Sequence, residues 1–275
     1  MNKKPFGLAL GAGAMRGMCH VGVLEVLEQH NLIPDMISGT SMGAVIGGLY
    51  AAGVTIDKMK EVLMTLKKKD VVDFFNIFGI RGSGFLSGNK SENIIRELCG
   101  DINIEDCKIP FVAVAVDVVS GKTVYFDKGN LTDAIRASYA VPGVFAPVKM
   151  GDMLLMDGGL KERIPVNILR EKGAKYVIGV NPCESIIEGK YPSSLPEQLG
   201  RMFEIMDWEI TRRKLNEADY VLSIKSKLMS SANVDEAKIA YEQGLEAATE
   251  KIELIKKYIH RKDKKFFGLF KRKSK

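Results

Sequence analysis

Two strand–turn–helix units in the first fifty residues constrain the fold of this chain more than any other feature. Residues 6–10 form an apolar run that stops at the small-residue turn 11–14, and residues 36–38 stop in the same way at the turn 39–43. Each turn is followed by apolar residues at helical spacing. Repeated units of this kind place their strands in a parallel sheet covered by helices. We therefore predict an α/β fold with a mostly parallel central sheet and helices on both faces.

The later sequence continues this alternation without an internal repeat or a convincing linker. We predict one α/β domain over residues 1–260, followed by a tail over residues 261–275 that we expect to be flexible. Within the domain, strands are predicted over 111–119, 122–126, 154–156, 176–180 and 221–224, and helices over 57–69, 91–99, 131–139, 196–216 and 233–259.

The positive charge of the chain is concentrated in that tail. The net charge is +6, and residues 261–275 contribute +7 through eight lysines and arginines against one aspartate, which leaves −1 for residues 1–260. A nearly neutral body lacks the basic groove that nucleic acid requires, so no nucleic-acid partner is expected. Phenylalanine and leucine are interleaved with the cations of the tail, a pattern typical of contact with an anionic membrane surface. A solvated, disordered tail is the alternative.

Hydropathy and cysteine content indicate a cytoplasmic protein, with the tail as its point of peripheral membrane contact. The chain contains no run of about 18 uncharged apolar residues that would span a bilayer. Its four cysteines show neither metal-ligand spacing nor a dense disulfide pattern, which favours reduced thiols. We expect no metal and no cofactor. The cysteines are Cys19, Cys99, Cys107 and Cys183.

Ser41 is the candidate nucleophile. Residues 39–43 match the G-x-S-x-G nucleophile elbow, with a predicted strand before the motif and a predicted helix after it. Gly39 and Gly43 permit the sharp turn that lifts the hydroxyl out of the sheet, and the N–H groups of the following helix point toward it. The alternative is a packing turn in which the glycines only let helix and strand approach each other.

The three histidines are poor candidates for the base that a serine nucleophile needs. His20 lies on the apolar face of a predicted helix, which favours a buried or turn-capping role, and His30 ends that helix. His260 directly precedes the charged tail, where a side chain is difficult to anchor. Only two strands precede Ser41, whereas an α/β-hydrolase places several before its elbow. A Ser–acid–His triad therefore fits poorly.

Asp157 is the remaining candidate base. It follows the apolar residues 154–156 and precedes Gly158 and Gly159, so it stands where a strand ends abruptly. A carboxylate at that position can take the Ser41 proton directly and form a two-residue dyad, although its reference pKa is only about 3.9. Positioning and stabilisation of the oxyanion must then supply the remaining catalysis. An Asp-Gly hairpin turn is the alternative.

The first turn is a candidate oxyanion hole, formed by small residues whose backbone N–H groups face a ligand at a helix N-terminus. A dinucleotide-binding loop is the competing interpretation, with Asp35 as the ribose-binding acid. That motif, G-x-G-x-x-G, requires glycine where Arg16 stands. We expect Arg16 to support the substrate or the oxyanion. The four oxyanion-loop residues are Gly11, Ala12, Gly13 and Ala14.

Four motifs occur in order between residues 6 and 181. They are residues 11–17 with His20 and residues 21–24, the elbow 39–43, residues 141–145 (Val-Pro-Gly-Val-Phe), and Asp157-Gly158-Gly159. Together they resemble the patatin-like phospholipase family. The resemblance implies an α/β sandwich that uses a Ser–Asp dyad without a catalytic histidine. On this basis Ser41 is the nucleophile, Asp157 is the base, and residues 11–14 form the oxyanion hole.

This sequence departs from the family pattern at two places. Ala12 and Ala14 replace glycines of an almost all-glycine loop, and alanine disfavours positive φ. After Gly159, many relatives carry asparagines where this chain has Lys161, Glu162 and Arg163. The first departure affects the geometry of the oxyanion donors, and the second affects the local contacts of Asp157.

The resemblance implies an enzyme, a carboxylic-ester hydrolase of the lipase or phospholipase type, with fatty-acyl lipids or phospholipids as substrates. The alternatives are a non-catalytic lipid-binding or regulatory protein on the same fold and, third, a dinucleotide-binding α/β protein. Residues 73–88, rich in phenylalanine and isoleucine between glycines, are a candidate lid or acyl-chain contact. A hydrophobic cluster under a long loop is the alternative for this segment.

Overall fold

The fold is built around one eight-stranded sheet. In the computed structural model, residues 5–65, 89–185, 192–225 and 234–259 are described. The strand order is β5-β6-β3-β2-β1-β7-β8, and β4 also pairs with β3. The strands are β1 (Phe6–Leu10), β2 (Met36–Thr40), β3 (Phe111–Asp117), β4 (Lys122–Phe126), β5 (Val148–Met150), β6 (Met153–Asp157), β7 (Tyr176–Asn181) and β8 (Tyr220–Ser223).

The pairing is parallel through the centre and antiparallel at one end of the sheet. Strands β3, β2, β1, β7 and β8 run parallel to one another, whereas β4 and β6 pair antiparallel with β3, and β5 pairs antiparallel with β6. Strand β1 is buried along its whole length, as expected for a central parallel strand covered on both faces. The predicted α/β class with a mostly parallel central sheet is confirmed.

Helices cover both faces of the sheet. Alternate residues of β1 point to opposite sides: Leu8 and Leu10 belong to the larger apolar cluster, and Ala9 belongs to a smaller cluster with Leu169 and Val177. The helices are α1 (Cys19–Gln29), α2 (Met42–Ala52), α3 (Ile56–Thr65), α4 (Asn89–Cys99), α5 (Leu131–Ser138), α6 (Val166–Glu171), α7 (Leu195–Lys214) and α8 (Val234–Ile259). Within the described ranges, none of them is long and apolar enough to cross a membrane.

Most predicted elements lie within a few residues of their observed bounds, and the differences have local causes. Strand β3 ends at Asp117, two residues early, because its carboxylate accepts the N–H groups of Val119 and Ser120 and closes the turn. The sequence prediction missed β5 and α6, which are too short to show a period. The candidate lid 73–88 and the tail 261–275 lie outside the described residues.

Candidate active site

Ser41 occupies a strained backbone conformation between β2 and α2. Its φ of 56° and ψ of −123° put a non-glycine residue at positive φ, an arrangement that persists only when the surroundings enforce it. A Cβ on Gly39 would lie 2.3 Å from the Gly43 carbonyl oxygen, and one on Gly43 would lie 2.1 Å from the Leu10 carbonyl oxygen. Both elbow positions therefore require glycine because backbone fills the space around them.

A buried serine on α5 fixes the elbow from the other side. The Ser41 N–H donates to Ser138 Oγ at 3.0 Å, and the Ser138 hydroxyl in turn donates to the Val114 carbonyl at 2.6 Å. This chain of hydrogen bonds ties the nucleophile turn to the centre of β3. The sequence prediction missed the role of Ser138, since a serine inside a helical pattern gives no local signal of a contact with a turn 97 residues away.

Asp157 ends β6 and is held by backbone on both sides. Its N–H donates to the Ala140 carbonyl at 3.0 Å, and its carboxyl accepts the Gly159 N–H at 2.7 Å. The Ser41 side chain lies close enough to this carboxyl to lower its pKa. The structure thus brings the two predicted catalytic side chains into contact, and Asp157 caps a short 3-10 helix (Gly158–Leu160) rather than forming a hairpin turn.

The register of β3 explains why these two residues meet. The last residue of β2, Thr40, pairs with Val114 of β3, and the last residue of β6, Asp157, pairs with Ala115, the next residue of β3. Strand β4 pairs with Ala113 to Asp117 and so overlaps both of them. Because a strand has two edges, β2 and β6 must share the edge that β4 leaves free. The C-terminal ends of β2 and β6 therefore meet. Ser41 directly follows the end of β2, and Asp157 is the last residue of β6.

Burial makes Asp157 a stronger base than an ordinary aspartate. Its side chain is 6% exposed and that of Ser41 is 5% exposed. Burial raises the pKa of Asp157 to about 6, and the nearby Ser41 side chain, the hydrogen bond from the Gly159 N–H and the positive charge of Arg163 offset part of that rise. The carboxyl is consequently ionised at neutral pH yet close to the pH at which it accepts a proton.

The predicted oxyanion loop divides into two halves. The Gly11 N–H donates to the Val180 carbonyl at 3.0 Å and the Ala12 N–H donates to the Arg163 carbonyl at 2.9 Å. For these two residues the expected donor role must be corrected, since their N–H groups already have partners. Gly13 and Ala14 begin the short 3-10 helix Ala14–Met18, where the first N–H groups have no partner within the helix.

Close contacts hold this loop beside the carboxyl. A Cβ on Gly159 would lie 3.6 Å from the Ala12 side chain, and one on Gly13 would lie 2.6 Å from Pro182. Ala14 has a φ of 48°, and positive φ is energetically unfavourable for a residue that carries a Cβ. His20 Nε2 lies 2.8 Å from the Gly11 carbonyl oxygen.

His20 is fully buried, as predicted from its place on the apolar helix face. Burial lowers the pKa of His20 to about 4, so the ring is neutral near pH 7 and its Nε2–H donates to the loop. Its described contacts give it a structural role in holding the first turn. His30 caps the end of α1, and His260 lies outside the described residues.

Two partly buried arginines connect the loops around the serine to α7. Arg163 forms an ion pair with Asp207, and Arg16 lies 3.6 Å from Glu204, one helical turn earlier. Arg16 Nη1 is also 3.8 Å from the Cys183 sulfur. Its guanidinium thus faces α7, and its support of an oxyanion stays a prediction. The sequence prediction did not include Arg163 or the two acids, because their partners are distant in sequence.

The described residues contain no group of histidine, cysteine, aspartate and glutamate side chains suited to hold a metal ion. All four cysteines are free thiols.

The sheet and the site together define an α/β protein with a strained serine on a strand–turn–helix elbow, in contact with a buried carboxyl. The sequence pattern of the family described as patatin-like phospholipase matches residues 8–170, more than half of the chain. The chain belongs to the patatin-like phospholipase family.

Curated relatives share part of their length with this chain. An uncharacterized NTE family protein of Mycobacterium tuberculosis is 37% identical over 174 residues, which cover 63% of this chain and 48% of that protein. A protein named lysophospholipase NTE1, from Candida albicans, is 30% identical over 183 residues, which cover 66% of this chain and 13% of that protein. The chain thus spans about half the length of the mycobacterial relative and a small part of the fungal one.

A solved structure shares the fold. The crystal structure of VipD from Legionella pneumophila aligns with a TM-score of 0.51 at 13% sequence identity, covering 92% of this chain and 67% of that chain. At this identity the similarity concerns the architecture of the sheet and its helices alone.

Proposed function

We propose that this protein is a serine acyl-ester hydrolase that acts on fatty-acyl lipids with a Ser41–Asp157 dyad. The observation that carries the proposal is the proximity of the Ser41 side chain to the buried Asp157 carboxyl, whose pKa is raised to about 6. A nucleophile with a base in hydrogen-bond contact is the minimum that serine catalysis needs. The family match over residues 8–170 supports the same chemistry.

The first half-reaction forms an acyl-enzyme. Asp157 accepts the hydroxyl proton as Ser41 Oγ attacks the ester carbonyl, and the tetrahedral intermediate expels the alcohol, which takes the proton back from Asp157. In the second half-reaction, Asp157 accepts a proton from water, the resulting nucleophile attacks the acyl-enzyme, and Ser41 leaves with the proton. The products are a free fatty acid and the alcohol.

Backbone N–H groups stabilise the oxyanion in this proposal. The donors are those of Gly13 and Ala14 at the start of the 3-10 helix and that of Met42 at the first position of α2. All three lie where a helix leaves N–H groups without internal partners and presents the positive end of its dipole. Gly11 and Ala12 then act as supports, since their N–H groups bind the Val180 and Arg163 carbonyls.

Lysophospholipids are the first substrate class to examine. The fungal relative carries the name lysophospholipase, and the family model matches the part of this chain that contains Ser41 and Asp157. We extend that substrate class to this chain as a proposal. The nearly neutral body that remains without the tail is compatible with both zwitterionic and neutral lipids.

Labelling with a fluorophosphonate probe, which reacts only with an activated serine, tests the proposal directly. We expect the wild-type protein to be labelled at Ser41 and to hydrolyse p-nitrophenyl butyrate. Ser41→Ala and Asp157→Asn should each lower kcat/KM by about a thousandfold or more. Lysophosphatidylcholine should yield free fatty acid with the same dependence on both residues.

Two matched variants control for burial. Ser38→Ala removes a buried hydroxyl of β2 that donates to the Pro165 carbonyl, and Asp117→Asn changes a buried carboxyl at the end of the adjacent strand. Both should retain labelling and turnover. A wild-type protein that binds lipid but is neither labelled nor active would instead indicate a non-catalytic lipid-binding protein, and normal turnover in Asp157→Asn would exclude the dyad.

A further inference from the structure

An apolar cavity of about 70 Å³ lies between α1, α2, α3 and α4, and its lining includes Met42, the residue that follows Ser41 in sequence. Its described lining consists entirely of aliphatic and methionine side chains. These described side chains carry no charged or hydrogen-bonding group, so they offer no partner to a polar ligand or an ordered water. Its members include Met15, Met18, Met42, Leu49, Met59 and Ile95.

One end of the cavity adjoins the site. Met42 directly follows Ser41, and Met15 directly follows the residues proposed to bind the oxyanion. From Met42 the lining continues along one face of α2 through Val45 and Ile46 to Leu49, a rise of about 10 Å. Helical side chains tilt toward the N-terminus of their helix, so these residues lean toward Ser41.

We propose that this cavity binds the hydrocarbon part of the acyl group, with the ester carbonyl at Ser41 and successive methylenes along α2 toward Leu49. The inference rests on the proposed hydrolase function and adds to it the site that selects the acyl chain. An acyl chain bound in this way lies along α2, so the alcohol part of the ester extends away from the cavity and can leave.

The size and composition of the cavity set the expected selectivity. Each methylene moved from water to an apolar site improves binding by about fourfold. The volume is about half that of cavities that hold benzene, about 150 Å³, so a longer chain must displace side chains. The four methionines of the lining suit this, because methionine is unbranched and adapts its rotamers to irregular space.

Substitutions at Leu49, the far end of the α2 face, test the inference. The measurement is the ratio of kcat/KM for p-nitrophenyl octanoate to kcat/KM for p-nitrophenyl acetate. Leu49→Phe fills the cavity and should lower this ratio by about tenfold or more, equivalent to losing about two methylenes. Leu49→Ala enlarges the cavity and should shift the preference in the opposite direction, toward p-nitrophenyl dodecanoate.

Leu169→Ala is the matched control. Leu169 is equally buried but belongs to the small apolar cluster on the other face of the sheet, so its truncation lowers stability without altering the ratio. The two opposite substitutions at Leu49 keep the test informative if one of them fails to fold. An octanoate-to-acetate ratio that is the same in the wild type and in a folded Leu49 variant would overturn the inference.

A binding measurement separates failure of this inference from failure of the proposed function. In Ser41→Ala protein, displacement of a fluorescent fatty acid by octanoate reports occupancy without turnover. We expect binding that Leu49→Phe weakens by about tenfold and Leu169→Ala leaves intact. A protein with esterase activity but no octanoate binding would contradict the cavity assignment, whereas binding without esterase activity would contradict only the hydrolase proposal.

Discussion

Replacing Asp157 with asparagine should stabilise the folded protein at neutral pH while it abolishes activity. The reason is that burial disfavours the charged carboxylate, raising its pKa from 3.8 to about 6. Each pKa unit corresponds to 1.36 kcal/mol, so holding this carboxylate ionised in the fold costs about 3 kcal/mol. Asparagine keeps an oxygen that can accept the Gly159 N–H but carries no charge.

The contribution of the Asp157 carboxyl to the free energy of unfolding decreases as pH rises. Below about pH 3 the carboxyl is protonated in both the folded and the unfolded chain, so no charge is buried on folding and stability is highest. Between about pH 4 and pH 6 the folded protein retains a proton that the unfolded chain has lost, and the free energy of unfolding falls as pH rises. Above about pH 7 both states are ionised, and the loss reaches its full 3 kcal/mol or so. The asparagine variant has no such dependence at this position.

The assay compares the two proteins rather than their absolute stabilities. Urea unfolding, followed by circular dichroism at several pH values from about 4 to 7.5, gives the difference in unfolding free energy between Asp157→Asn and the wild type. That difference should grow in favour of the variant by about 2.4 kcal/mol across the range, because at pH 4 the unfolded carboxyl is already partly ionised. Contributions of all other titrating groups cancel, as does any constant effect of the substitution.

Asp117→Asn provides a control of opposite sign. The hydrogen bond from Ser120 lowers the pKa of Asp117, so its ionised form stabilises the fold and that stability is lost as pH falls. The difference between Asp117→Asn and the wild type should therefore move against the variant as pH rises. A difference for Asp157→Asn that stays constant from pH 4 to 7.5, or follows the Asp117 trend, would refute the reasoning.

Two further predictions concern the elbow and the buried histidine. Ser41→Gly should be more stable than Ser41→Ala by about 1 kcal/mol in urea unfolding, because glycine adopts a φ of 56° without strain; equal stabilities would mean that the turn stores no strain. His20→Gln should retain the rise of kcat/KM through about pH 6, because that rise follows Asp157 while burial keeps His20 neutral with a pKa of about 4. Loss of this inflection in folded His20→Gln would identify the histidine as the titrating base.

Local sequence signals predicted the elements around the sheet because those elements carry their own period and boundaries. A glycine-containing turn separates β1 from α1, and another separates β2 from α2. Each turn ends the strand pattern and precedes the helix pattern. Strand β5 has three residues and α6 has six, which is too few for a hydrophobic period to be read. The pairing of β2 and β6 on one edge of β3 is a long-range property that local patterns do not encode.

The same distinction divides the site. Ser41 was identifiable because its glycines are adjacent in sequence, and Asp157 because it follows an apolar strand and precedes two glycines. The hydrogen bonds of the Gly11 and Ala12 N–H groups could not be predicted, because their acceptors, the Val180 and Arg163 carbonyls, are distant in sequence. Helix α7 supplies the acids for Arg16 and Arg163, and its sequence gives no indication of those partners.

Burial of Asp157 has opposite effects on stability and on the proposed catalysis. An exposed aspartate with a pKa of 3.8 is a poor acceptor for a serine proton, and a rise to about 6 makes the carboxylate a stronger base by about two orders of magnitude. In the proposed mechanism, the environment that destabilises the folded state by about 3 kcal/mol is thus also the one that makes the carboxylate a sufficient base for Ser41. A variant that admits water to this carboxyl should therefore gain stability and lose turnover together, whereas separate changes in the two would show that the raised pKa does not drive the reaction.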